Sequence, residues 1–283
     1  MGDLDGRVYL VTGGNTGIGR ATAAGLASRG AQVHLACRSA GKGSAAAAAI
    51  TAATGNPAVG VLPLDLARLH SVRGCAAAFR ELGQPLHGLI NNAGLPGRRG
   101  RATADGFELA FGVAHLGHFA LTTALLDCLT ASAPARVVTV SSDAHYQARG
   151  IDFDAVRQPG RSITGLPEYA VAKLCNVLFS QELARRLAGR GVTSYVLHPG
   201  VVASDIWRRV PWPVRPLLTR RMLTTEEGAR TSLFCATDER VAAVSGRYYE
   251  DCRERQPSPV ATAELAAELW RRSEAWTAGP AGQ

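Results

Sequence analysis

Among its six cysteines, Cys37, Cys75, Cys128, Cys175, Cys235 and Cys252, the chain has no Cys-x-x-Cys pair and no zinc-ligand spacing. That excludes a dithiol redox centre and a structural zinc as readings, and no metal site is expected. Cys75, Cys128 and Cys175 fall within helix-like runs and read as buried small apolar residues. Charge is also sparse. Asp, Glu, Lys and Arg make up 19% of the residues, below the usual quarter. Outside one segment, 201–223, the arginines are scattered rather than gathered on a helix or arm. The net charge of +8 therefore does not point to nucleic acid and suits an anionic small ligand. No charge-free run approaches the roughly 18–20 residues of a membrane span. The polar, acidic residues 1–7 are unlike a secretory signal. A cytoplasmic protein of a reducing compartment is expected.

The chain does have apolar residues in quantity, 46% over 283 residues. That is enough for the core of one α/β domain with helices on both faces, and residues 1–283 read as a single domain. Residues 44–50 are almost all alanine, which predicts helix. Apolar runs predict strands at 7–11, 32–36, 59–64, 86–91, 136–141, 193–197 and, as the short final strand, 247–249. Helical patterns alternate with them at 15–29, 43–54, 69–82, 106–129, 169–189 and 225–236. A closing helix at 261–276 and a frayed tail at 279–283 follow. Such alternation predicts a doubly wound parallel sheet built from right-handed crossovers. The loops 95–105, 143–168 and 201–223 break the rhythm where α/β folds place their sites.

Thr12-Gly13-Gly14-Asn15-Thr16-Gly17-Ile18-Gly19 leaves the first strand and opens the first helix. Gly13 can take the tight turn, Gly17 leaves room for a pyrophosphate, and Gly19 permits close packing of the helix. Asn15, Thr16 and Ile18 sit at the helix start, where free N–H groups attract phosphate. The end of the second strand, where an NAD site usually offers a carboxylate, reads Ala36-Cys37-Arg38-Ser39. Arg38 can fork onto a 2′-phosphate, with Lys42 in support, so NADP(H) is the expected cofactor. Asp65 and Leu66 end the third strand where adenine would lie. Asn91-Asn92-Ala93-Gly94 ends the fourth, and Asn92, Ala93 and Gly94 form a small-residue turn that lets backbone approach the cofactor.

Tyr169 and Lys173 stand at i and i+4, which puts both on one helix face. A phenol titrates near pH 10, and a neighbouring ammonium lowers that value towards the range useful for moving a proton at an alcohol or carbonyl oxygen. Ser141-Ser142 closes the strand before them. A hydroxyl there can hold the substrate oxygen beside Tyr169 or can simply bond the backbone.

Together and in order, Thr-Gly-x-x-x-Gly-x-Gly, Asn-Asn-Ala-Gly, Ser-Ser and Tyr-x-x-x-Lys resemble the short-chain dehydrogenase/reductase family over roughly residues 6–249. Ala36-Cys37-Arg38, His115-Leu116-Gly117-His118-Phe119, Ala144-His145, His198-Pro199-Gly200, Ser245-Gly246-Arg247-Tyr248-Tyr249 and Trp270 narrow the resemblance. They are similar to the retinol dehydrogenase-like and WW-domain oxidoreductase-like branch. The resemblance implies a Rossmann-type fold and hydride transfer between nicotinamide and an alcohol/carbonyl pair. It makes Tyr169 the acid/base and Ser142 the catalytic serine. Lys173 would lower the phenol's pKa and bind the nicotinamide ribose, and Pro199, Gly200 and Val201 would lie beside the nicotinamide. One position departs. Relatives carry asparagine before His-Leu-Gly-His-Phe, holding a helix distortion and a water that serves the lysine. Here it is Ala114, whose side chain can do neither. A cofactor-binding protein with little turnover is the alternative this raises. A dehydratase or epimerase on the same fold is a third reading, since such enzymes keep the Tyr-Lys pair.

Segment 201–223 would cover the substrate. Its Ile206, Trp207, Val210, Trp212, Val214, Leu217, Leu218, Met222 and Leu223 favour an apolar alcohol, aldehyde or ketone. Its Arg208, Arg209, Arg215, Arg220 and Arg221 allow peripheral contact with an anionic membrane, although Pro211, Pro213 and Pro216 interrupt any long helix. The resemblance also allows a homodimer.

Overall fold

The computed structural model describes residues 2–202 and 222–278. Eight strands form one sheet: β1 (Val8–Thr12), β2 (Gln32–Cys37), β3 (Val59–Pro63), β4 (Gly88–Asn91), β5 (Ala135–Val140), β6 (Val192–His198), β7 (Arg247–Glu250) and β8 (Arg253–Arg255). Their order is β3-β2-β1-β4-β5-β6-β7-β8, and every pairing is parallel except that of β7 with β8. β1 is buried at all five positions, as expected of a parallel strand covered on both faces.

Alternation along the strands divides the core in two. Leu10, Leu89 and Val137 face one layer with Phe79, Leu121 and Phe179. Tyr9, Val11, Ile90 and Val138 face the other with Leu26, Ile50 and Cys235. Successive side chains of a strand point to opposite faces, so one apolar run feeds both layers. Helices α1 (Gly17–Ala27), α2 (Ala40–Thr54) and α8 (Thr225–Thr237) cover the second face. Helices α3 (Leu69–Glu81) and α7 (Leu166–Arg186) cover the first. The alanine-rich α2 is closed at both ends. Ser39 accepts a hydrogen bond from the Lys42 amide, and Gly55 ends the helix at φ 72°, the left-handed conformation glycine takes without penalty.

The expected 106–129 helix is divided. It comprises α4 (Leu109–Phe111), a π-turn (Gly112–Leu116), α5 (Gly117–Ala124) and α6 (Leu126–Ala131), with a break at Leu125, φ −103° and ψ 8°. Residues 247–249 are not the last strand. The chain turns back at Asp251 and Cys252, both at positive φ, and adds β8 antiparallel to β7. The closing helix is α9 (Ala263–Thr277). Cys75 and Cys175 are buried as expected, whereas Cys128 is only half-buried. Among the described residues no helix is long and apolar enough to cross a membrane. Most of segment 201–223 and the 279–283 tail lie outside the described residues.

The strand order reverses direction between β1 and β4, whose connections leave to opposite sides. The crevice beyond their C-terminal ends is where sheets of this kind bind ligands.

Candidate active site

That crevice holds a cavity of about 270 Å³. Gly13, Asn15, Thr16, Gly17, Ile18 and Gly19 line it from the β1–α1 turn, Arg38 from the end of β2, Asp65 and Leu66 from the end of β3, and Asn92, Ala93 and Gly94 from the end of β4. All of these were singled out in the sequence. Ala36 and Cys37, noted only as neighbours of Arg38, also line it, as do Leu64, Leu95 and Val113, which the sequence did not mark. They are apolar residues whose place on the wall depends on neighbouring strands. Gly13 takes φ +64° and Gly17 φ +53°. Nothing lies within 4 Å of an ideal Cβ on Gly17, so only a missing side chain keeps that space open. A Cβ on Gly19 would run into the Asn92 side chain and the Gly13 carbonyl, which shows why this helix start needs glycine. The cavity thus offers the backbone of a helix start, an exposed guanidinium and an apolar slot, a set that fits a dinucleotide.

Thr12 ties the floor together, a role the sequence reading did not assign. Its Oγ1 accepts the amides of Asn92 and Ala93 at 2.9 and 3.1 Å and lies 2.8 Å from His118 Nε2. The Asn92 side chain returns a bond to the Thr12 carbonyl at 2.8 Å. Asp65 takes a local role as well. Its carboxylate accepts the Ala67 amide at 3.1 Å and stands 3.6 Å from Arg68.

The reacting groups expected from sequence stand on β5 and α7. The two serines separate. Ser141 is buried and donates to the Lys173 carbonyl at 2.8 Å, whereas Ser142 donates to Asp143 at 2.9 Å and sits close enough to the Tyr169 phenol to pull its pKa down. Lys173 is 3% exposed. Its Nζ donates to the Val140 carbonyl at 2.8 Å and lies 5.4 Å from the Tyr169 ring centre. Asn176, one turn further on, donates to the same carbonyl at 3.1 Å. Its i+3 spacing from Lys173 was the available signal. An ideal Cβ on Gly94 would stand 3.2 Å from Lys173 Nζ, so this group abuts the cavity wall through Gly94.

The protonation balance differs from the sequence expectation. Burial pushes the Tyr169 phenol up to about 12, against the downward pull of Ser142. Burial brings the Lys173 ammonium down to about 8. The phenol stands above its ordinary value because burial dominates, and the Lys173 ammonium is held to one side on the Val140 carbonyl.

Ala114 also behaves differently from expectation. It lies within the π-turn, so the distortion is present without asparagine. The Gly117 amide bonds the Gly112 carbonyl across the turn. His118 Nδ1 lies 2.9 Å from the Ala114 carbonyl. A carbonyl only accepts, so Nδ1 carries the proton and Nε2 accepts from Thr12. Burial lowers His118 to about 4, which keeps that neutral form. The Ala114 methyl fills a small buried cluster with Ala110 and Ala172. His115 points elsewhere, to Ser273 of α9 at 2.9 Å.

Pro199, Gly200 and Val201 follow β6 and are not among the residues lining the cavity. Gly200 has φ +84°, and a side chain there would meet Leu223. The Leu223 amide bonds the Val201 carbonyl at 2.9 Å. Among the described residues no group of three or more His, Cys, Asp or Glu is placed to hold a metal.

The short chain dehydrogenase family profile matches residues 7–154. Human retinol dehydrogenase 12 is 47% identical over 276 residues, covering 95% of this chain and 86% of that protein. A solved structure of an uncharacterized protein from Mycobacterium paratuberculosis superposes with a TM-score of 0.77 at 34% identity, covering 98% of each chain. The RhlG/NADP active-site complex of Pseudomonas aeruginosa does so with a TM-score of 0.70 at 27% identity, covering 92% of this chain and 98% of that one. With this sheet order, this glycine-lined crevice and relatives of that similarity, the chain belongs to the short-chain dehydrogenase/reductase family of oxidoreductases and is similar to its retinol dehydrogenases.

Proposed function

We propose that the protein is an NADP(H)-dependent oxidoreductase acting on an apolar alcohol/carbonyl pair. The observation that carries this reading is the buried Lys173, its ammonium 5.4 Å from the Tyr169 ring and next to Gly94 of the glycine-lined cavity, with Ser142 at the end of β5 beside them. In that cavity Arg38 would take the 2′-phosphate, Asp65 and Leu66 the adenine end, and Asn15, Thr16, Gly17 and Ile18 the pyrophosphate. Asn92, Ala93, Gly94, Tyr169 and Lys173 would flank the nicotinamide end, with Pro199, Gly200 and Val201 beyond it. When bound, the nicotinamide supplies or accepts the hydride at C4. The chain's own residues manage the oxygen. Ser142 Oγ donates to it, and the Tyr169 hydroxyl passes its proton to or from it. A phenol held protonated at neutral pH is set to donate, which suits carbonyl reduction.

Exposed apolar side chains favour an apolar substrate. Of the six large exposed hydrophobics among the described residues, only Leu82 lies away from the site's loops. Tyr146 follows Ser142, Ile163 and Leu166 precede Tyr169, and Val201 and Leu223 flank the expected lid. The retained π-turn favours an active enzyme over a cofactor-binding protein with little turnover, because the distortion expected of asparagine is in place.

The test is NADPH oxidation across a panel of apolar aldehydes and ketones, with NADPH binding measured in parallel. Tyr169→Phe is expected to lower kcat by about 10²- to 10⁴-fold and to leave NADPH binding within about twofold. Binding without turnover in the wild type, or turnover indifferent to Tyr169→Phe, would overturn the reading.

A further inference from the structure

The backbone of Ser142 is held by a residue that does not face the cavity. After β5 the chain makes a short 3-10 turn, Asp143–Gln147, capped by Ser142 itself, whose Oγ accepts the Ala144 amide at 3.2 Å. Inside this turn His145 is 0% exposed. Its Nδ1 lies 2.6 Å from the Ser142 carbonyl oxygen, and its Nε2 lies 3.1 Å from the Ser258 amide nitrogen. A carbonyl accepts and an amide N–H donates, so the proton is on Nδ1 and Nε2 is the acceptor. Only the neutral ring makes both bonds, and burial pushes this imidazole below its ordinary value. Asp143, His198 and Glu250 are the other titratable groups that act on it. The rings of Tyr146 and of Tyr248 on β7 stand 3.9 and 4.9 Å from it, centre to centre. A second tie runs alongside, since the Tyr146 hydroxyl donates to the Gln256 carbonyl at 2.6 Å. Ser258, 3% exposed, belongs to the stretch between β8 and α9.

We propose that His145 is a positioning residue. By joining the Ser142 carbonyl to the Ser258 amide it fixes the backbone that carries Ser142 Oγ to the side of the Tyr169 phenol, which makes the stretch between β8 and α9 part of the active-site support. The proposal rests on the reading of Ser142 and Tyr169 as reacting groups. Its physical basis is that catalytic groups work within about 0.5 Å of their productive positions. A displacement of about 1 Å can lower a rate a hundredfold.

The test is a double-mutant cycle in NADPH-driven reduction, with wild type, His145→Phe, Ser142→Ala and the double variant. His145→Phe is expected to lower kcat about tenfold and to leave the substrate KM and NADPH binding within about twofold. On the Ser142→Ala background the same change is expected to move kcat by less than about twofold, because the group it positions is gone. His145→Asn, whose Nδ2 falls where Nδ1 stood, keeps the bond to Ser142 and is expected within about threefold of wild type. If the phenylalanine variant does not fold, His145→Gln replaces it, since that change keeps the outer acceptor and gives up the Ser142 bond. An equal fall in kcat on both backgrounds, or no advantage of asparagine over phenylalanine, would overturn the proposal. The crystal structure of the His145 variant gives a readout independent of turnover, with Ser142 Oγ expected to move by more than about 0.5 Å. Should the wild type turn over no substrate, the functional reading fails. His145 is then judged on the structure alone, and an unmoved Ser142 Oγ overturns its role.

Discussion

At the end of β1 the cavity wall is made of backbone. Gly13 and Gly17 hold positive φ, Gly19 lies against Asn92 and the Gly13 carbonyl, and Thr12 gathers the amides of Asn92 and Ala93. At the end of β5 the wall is made of titratable side chains: a half-buried Tyr169 pushed up to about 12, a buried Lys173 brought down to about 8, and a buried, neutral His145 behind Ser142. The first wall should respond to volume and be indifferent to pH. The second should respond to protons and to the loss of a single hydrogen bond.

The largest expected effect tests the second wall. Lys173 has a folded pKa of about 8 against an ordinary value of 10.5. The unfolded chain therefore binds more protons between those values. Relative to Lys173→Met, the wild type should gain stability as pH rises from about 8 to about 10.5, on the order of 3 kcal/mol. Urea denaturation of both proteins across that range measures it, and a constant difference would refute the buried ammonium. Next is Arg38→Ala, which should weaken NADPH binding by roughly 2 kcal/mol, some tens-fold, and leave NADH unaffected. Equal losses for both cofactors in a fluorescence titration would remove the 2′-phosphate from the account. Gly19→Ala should lower stability by about 1–3 kcal/mol at every pH from 6 to 10, as a volume effect must. A pH-dependent loss would blur the distinction between the walls. The smallest effect belongs to Ala114→Asn. Ala114 is fully buried beside Ala110 and Ala172, so the larger amide should destabilise by about 1 kcal/mol and leave kcat within about twofold. A tenfold rise in kcat would show that alanine limits proton movement after all.

The first wall was nearly complete in the sequence, because glycine spacing reports backbone conformation and the parallel strands are buried on both faces. β1 and β4 could be recognised from the apolar runs 7–11 and 86–91. The second wall was readable only as residue types. The i, i+4 spacing of Tyr169 and Lys173 placed them on one face. It carried no information on burial, and burial decides which way both groups titrate. The π-turn was hidden because its flanking residues have ordinary helical dihedrals, −59° and −50° at Phe111 and −63° and −40° at Gly117. The difference lies in the hydrogen bonding, as in the Gly117 amide bonded to the Gly112 carbonyl. His118 and His145 were visible as parts of a resemblance, but their partners, Thr12 and Ser258, lie more than a hundred residues away in sequence. β8 was missed because all three of its residues are charged and exposed, which leaves no apolar period to read.

Those three residues also affect how the molecule meets copies of itself. An outermost strand with free amides and carbonyls invites a second chain to extend the sheet. β8 offers Arg253, Glu254 and Arg255 for that purpose. A copy adding antiparallel about Glu254 would set Arg253 against Arg255 and Glu254 against Glu254. A copy adding parallel in register would set each residue against itself. Like charges oppose each other in both of these registers, which destabilises them, so a copy can add to this edge only in a shifted register that sets arginine against Glu254.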